Sequence, residues 1–223
     1  MNLRSCSGVS NNLFSAYHSG KTDDAETVVQ HLHTNKKYKT MNIIGFSLGG
    51  NLTLKYMGEQ SHPFIQSAIG VSVPCDLRGS SIKMSHRKNK IYFNGIIKSL
   101  KQKLKQKIIR YPKNGIEAKD IKKIKSFYDF DNLYTAPFHG FENADDYYTK
   151  NSSKYYIGKI KKPCLLINAL DDPFLSKSCF PFQEAKNNPF IVFEYPKYGG
   201  HVGFYEQPKT WIEKRAIHFF TEQ

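Results

Sequence analysis

The chain has 223 residues, 39% of them hydrophobic and 23% charged, with a formal net charge of +14. That length supports one domain with a substantial core and requires no second, and the ordinary composition excludes a fibrous or disordered chain. No run approaches the roughly 18 apolar residues of a membrane helix, and no secretory leader opens the sequence.

Cys6, Cys75, Cys164 and Cys179 are scattered, without a CxxC pair or ligand-like spacing. They read as reduced thiols of a cytoplasmic protein, so neither a metal site nor a cofactor is expected. The positive charge is concentrated: residues 83–125 hold fifteen Lys and Arg against Glu117 and Asp120 alone. The rest of the chain is near neutral, which argues against nucleic-acid binding by the protein as a whole.

Met1-Asn2-Leu3-Arg4 reads as the end of a strand entering a loop that lasts to Gly20. A helix is expected over Asp23–His33, with acids in its first turn and histidines in its last, as the helix dipole favours. Met41–Phe46 is a short apolar, β-branched run and reads as a strand. A helix then runs to about Glu59, and a buried strand spans Phe64–Val73, closed by Pro74. This β-α-β-α-β order implies a parallel sheet with right-handed crossovers.

From residue 76 to about 150 the pattern becomes helical, rich in lysine and tyrosine, with no convincing strand. Ile97, Leu100, Leu104 and Ile108 form one apolar stripe, surrounded by Lys98, Lys101, Lys103, Lys105 and Lys107. Strands resume at Lys162–Leu170 and Phe190–Tyr195, separated by a helix around Ser178–Lys186. A closing helix spans about Lys209–Phe220. The expected organisation is an α/β core of residues 1–75 and 151–223, with a helical cap inserted over 76–150.

Gly45-Phe46-Ser47-Leu48-Gly49 matches the G-x-S-x-G nucleophile elbow, in which a serine sits at a sharp strand-to-helix turn. Small residues are expected two positions either side of Ser47, because the nucleophile's backbone is strained there. Functional groups of an open α/β sheet gather beyond the carboxyl ends of its strands. Those ends carry Ser47, then Asp171 and Asp172, then His201, in the order Ser…Asp…His that α/β-hydrolases use. Ser47 is the candidate nucleophile and His201 the candidate base. Asp172 is preferred as the acid that orients His201, with Asp171 open as the alternative, and the Leu48 N–H is a candidate oxyanion donor. His18, in Tyr17-His18-Ser19-Gly20, is expected to hold its loop.

These pieces also resemble the YheT-like branch of the α/β-hydrolases. The matching stretches are Met1–Gly8, Tyr17–Gly20, Gly45–Asn51, Ala169–Phe174 and Gly199–Phe204, with Phe127–Asp131, His139–Phe141 and Asp146–Tyr148 before the acid strand. The resemblance implies a carboxylic-ester hydrolase for short-chain acyl or lipid-like esters, with its triad on Ser47, Asp172 and His201. In that branch a His-Gly loop after an earlier strand supplies a second oxyanion donor, and no such strand and loop are found here. An N-terminally truncated hydrolase with impaired activity is therefore expected, the missing strand lying between those ending near Arg4 and at Phe46. The exposed edge left on the Met41–Phe46 strand would be an aggregation liability. The alternative is a basic lipid-surface binding module without turnover. A basic stripe at 97–110 fits a helix lying on an anionic inner membrane face as well as a solvated face.

Overall fold

A computed structural model describes residues 1–60, 62–206 and 209–222. In chain order the elements are α1 (Thr22–Lys36), β1 (Met41–Phe46), α2 (Leu48–Gln60), β2 (Ile65–Val71), α3 (Leu77–Met84) and α4 (Lys90–Arg110). They continue with α5 (Ala118–Lys123), α6 (Phe127–Phe130), α7 (Ala144–Asn151), β3 (Cys164–Ile167), α8 (Phe182–Lys186) and β4 (Ile191–Glu194). The short pair β5 (Tyr205–Glu206) and β6 (Lys209–Thr210) precedes α9 (Trp211–Thr221). None of the described helices is long and apolar enough to cross a membrane.

The chain divides into two compact units, Met1–His18 with Ser81–Lys150 and Ser19–Ser80 with Asn151–Gln223. The second is built on a four-stranded sheet of order β1-β2-β3-β4, parallel throughout. β3 is buried along its whole length and β2 at every position but one, as central strands of a parallel sheet covered on both faces must be. Ile69, Val71, Leu165 and Ile167 pack on one face against Ile212, Ala216 and Phe219 of α9. α2 lies against β1 and β2, with Leu54 meeting β2 where Gly70 leaves room.

β1 is an edge strand: among the described strands only β2 pairs with it, in the register Ile43↔Ala68 and Phe46↔Val71. Ile44 and Phe46 remain 40% and 47% exposed on it. This is the unpaired apolar edge anticipated for the elbow strand.

The helical unit centres on Ile97 and Leu104 of α4, packed with Ile121, Ile124, Phe130 and Tyr134. Phe14 joins this core through edge-on contacts with Tyr111, Tyr134 and Phe138.

Three local expectations are corrected. Met1–Arg4 is not a strand; a turn from Leu3 to Cys6 and a left-handed Ser5 (φ 61°) replace it, and no strand of the sheet lies beside it in its own unit. The helix around Ser178–Lys186 is split into a 3₁₀ turn at Lys177–Cys179 and α8, because Pro181 holds Phe180 extended and lacks the N–H a continuous helix needs. Lys107 is not part of a solvated face. It is 3% exposed, and its ammonium donates to Asn11 O at 2.9 Å, to Asn11 Oδ1 at 2.6 Å and to Leu13 O. Burial lowers its pKa from the ordinary lysine value, assisted by Arg110.

Candidate active site

Ser47 stands between β1 and α2 with φ 52°, in the left-handed region that an L-residue occupies at a cost of about 1–3 kcal/mol. The surroundings hold it there. Its N–H donates to Val71 O at 2.8 Å, and its C=O accepts the Asn51 N–H at 3.1 Å, the first turn of α2. A Cβ on Gly45 would lie 2.3 Å from Gly49 O and 2.4 Å from Thr53 Oγ1, and one on Gly50 2.6 Å from Val73 Cγ2. Gly49 is different: a Cβ there meets nothing within 4 Å. The tight packing of the elbow therefore falls on Gly45 and Gly50 rather than on Gly45 and Gly49, since the Gly49 backbone is itself the surface that Gly45 must avoid.

His201 Nε2 lies 3.0 Å from Ser47 Oγ, and its Nδ1 lies 2.8 Å from Asp172 Oδ2. An ionised carboxylate can only accept, so the proton sits on Nδ1. The Nε2 lone pair then faces the Ser47 hydroxyl, which donates to it. Both separations fall within the range for general-base activation of a serine. The Asp172 side chain is fully shielded from solvent and that of His201 is 17% exposed. Asp172 Oδ1 accepts the Phe174 N–H at 2.9 Å, and the Phe174 ring meets the His201 ring edge-on at 4.7 Å. Asp171, the alternative acid, accepts the Gly200 N–H at 2.8 Å instead. It braces the loop that carries the histidine.

That loop owes its shape to glycine. Gly200 is left-handed (φ 56°), and a Cβ on Gly199 would come within 2.6 Å of the Phe204 ring. The Leu48 N–H opens α2, where first-turn N–H groups have no intrahelical acceptor and the helix dipole is positive.

Two buried amides escaped the sequence reading. Asn168, just past β3, accepts the Val73 N–H at 2.6 Å and donates to Val73 O and Cys179 O, tying the exits of β2 and β3 together. Asn51 donates to Ser19 O at 2.9 Å and Asn151 O at 2.8 Å, and accepts the Ser153 N–H at 2.9 Å. The signal for both was a polar residue inside an otherwise apolar run, Cys164–Leu170 for Asn168 and Leu48–Leu54 for Asn51. His18 is buried in the helical unit, where its ring packs against His139, Phe141 and Tyr147.

No family model matches the chain. Its sequence is 31% identical to YheT of Escherichia coli K12 over 227 residues, which cover 99% of this chain and 66% of that protein. It is also 31% identical over 212 residues to a monoacylglycerol lipase of Saccharomyces cerevisiae, covering 91% of this chain and 47% of the lipase. The chain thus spans about half to two thirds of the length of these relatives. Its fold is similar to that of an esterase of Pyrococcus furiosus, with a TM-score of 0.56 at 18% identity over 96% of this chain and 65% of the esterase. At that identity the likeness speaks for the fold alone. With its parallel sheet, its elbow and these relatives, the chain belongs to the α/β-hydrolase superfamily.

Proposed function

We propose that this protein is a serine ester hydrolase acting on short-chain acyl or lipid-like esters. The observation that carries the reading is the relay from Asp172 through His201 to Ser47, held by a buried carboxylate and a left-handed serine. His201 takes the Ser47 proton as Oγ attacks the ester carbonyl, and the Leu48 N–H stabilises the oxyanion that forms. The imidazolium, steadied by Asp172, returns its proton to the departing alcohol and leaves an acyl group on Ser47. Water, deprotonated by His201, then releases the acid by the same steps in reverse. These steps call for no cofactor and no metal. The yeast relative's name, monoacylglycerol lipase, supports a lipid-like ester as substrate. Such esters reside in membranes, and the lysine-rich segment suits contact with an anionic one.

The experiment is hydrolysis of p-nitrophenyl acetate, butyrate and octanoate by the purified chain and by Ser47→Ala. Turnover lost in the variant supports the reading. A second reading, a relay without turnover, is favoured by the exposed outer edge of β1, the strand that delivers Ser47. Folded protein with no hydrolysis of any of the three esters would decide for it.

A further inference from the structure

We infer that the outer face of α4 is the surface by which this protein rests on an anionic phospholipid bilayer, with Ile91 and Ile109 as its two apolar contacts. The inference rests on the lipid-surface part of the function proposed above. α4 runs for 21 residues and carries seven Lys and Arg with no acid. Its inner side is committed, because Ile97 and Leu104 are buried and Phe93, Leu100 and Ile108 pack around the same core. Lys107 is committed too, inside its cage of three acceptors.

The opposite side is organised. Ile91 and Ile109 are 86% and 79% exposed. Eighteen residues separate them, five turns of helix, so they share one line about 27 Å apart. Exposed Lys98 and Lys105 fall on the same line at seven-residue intervals from Ile91, and Lys101 flanks it. A polar partner protein would leave the isoleucines in water, and a purely apolar one would bury unpaired lysines at a large cost. A bilayer surface suits both, since lysines reach lipid phosphates while isoleucines at the same level enter the headgroup boundary. Few apolar residues are involved, so attraction to the anionic surface dominates and salt weakens it.

The test is co-sedimentation of the full chain with vesicles of 30% phosphatidylglycerol in phosphatidylcholine, and of phosphatidylcholine alone, at low and high salt. Three variants are compared: Lys98→Glu/Lys101→Glu/Lys105→Glu, Ile91→Ser/Ile109→Ser, and Lys119→Glu/Lys122→Glu/Lys125→Glu as a matched charge change off α4. Wild type should bind only the anionic vesicles and release in high salt. The α4 lysine variant should bind at least about 100-fold more weakly, about fivefold for each lysine near the surface. The isoleucine variant should lose about tenfold, a partial burial of two side chains, and the distal variant less than about tenfold. All variants should keep the wild-type melting temperature and any ester hydrolysis of soluble substrate. Equal losses from the α4 and distal lysine variants, or no loss from the isoleucine variant, would overturn this face while leaving a general membrane attraction intact. Absence of binding to any vesicle would overturn both. Displacement from vesicles by equimolar polyuridylate would make the face a nucleic-acid surface and overturn it as well.

Discussion

Replacing Asn51 by leucine should unfold much of what supports the elbow, although this side chain performs none of the chemistry. Asn51 is fully buried, and its amide satisfies the carbonyls of Ser19 and Asn151 and the N–H of Ser153. Ser19 and Asn151 are the points where the chain passes into the sheet-bearing unit, so one side chain on the first turn after Ser47 fastens both of these segments. Leucine has a similar volume and fills the space, but it makes none of the amide's three hydrogen bonds. At about 0.5–1.5 kcal/mol net for each hydrogen bond lost, the expected loss is about 1.5–4.5 kcal/mol, a substantial share of a typical folding free energy of about 5–15 kcal/mol. Asn51→Asp should cost a comparable amount, since it keeps an acceptor for Ser153 but turns a charged oxygen on two carbonyls. Urea unfolding, followed by tryptophan fluorescence and circular dichroism, measures both. A loss below about 1 kcal/mol for Asn51→Leu would refute this account of the hub.

Three further outcomes follow from the structure. Asp172→Asn should lower ester turnover by about 10⁴-fold, because the amide favours the wrong imidazole tautomer, whereas Asp171→Asn keeps an acceptor for Gly200 and should stay within about threefold. Comparable losses in the two variants would reverse the assignment of the acid. Lys107→Met keeps the aliphatic stem but abandons Asn11 and Leu13, so it should cost about 2–3 kcal/mol and make residues 9–16 sensitive to limited proteolysis, with unchanged proteolysis as the contrary result.

Asp131, bonded by Thr135 and Tyr148, has its carboxyl pushed up to about 6 by burial. The folded state therefore holds a proton that the unfolded state releases between about pH 4 and 6. Stability from this group is present below about pH 4 and is lost as pH rises through 6. Relative to Asp131→Asn, wild type should gain about 2 kcal/mol on moving from pH 7.5 to 4.5, and a pH-independent difference would contradict the assignment.

What could be read from the residues alone was whatever depends on neighbours in sequence. The elbow is a local pattern of strand, glycines and serine, and β1, β2 and β3 are short apolar runs with clear ends. The order of Ser47, Asp172 and His201 was legible because parallel strands deliver their carboxyl ends to one edge. The misreadings lie where distant contacts decide. Met1–Arg4 has strand-like composition, but a strand also needs a partner beside it. Lys107 has the spacing of a solvated lysine, and only the return of residues 11–13 over α4 buries it. Asn51 and Asn168 look like interruptions in apolar runs until the backbone groups they serve, up to 102 positions away, are brought beside them. The preference for Asp172 over Asp171 was no misreading but rested on a local turn, and the contacts accord with it: Asp172 faces Nδ1 of His201, while Asp171 accepts the Gly200 N–H.

The central claim is that Ser47 is an activated nucleophile. Its most direct test is reaction of the folded chain with a fluorophosphonate probe, read by intact mass and peptide mapping, because the phosphonate stays on the serine and requires no knowledge of the natural ester. The account predicts one adduct per chain, on Ser47, absent in Ser47→Ala and strongly slowed in His201→Ala. Folded protein that acquires no adduct, or acquires it on another serine, would contradict it.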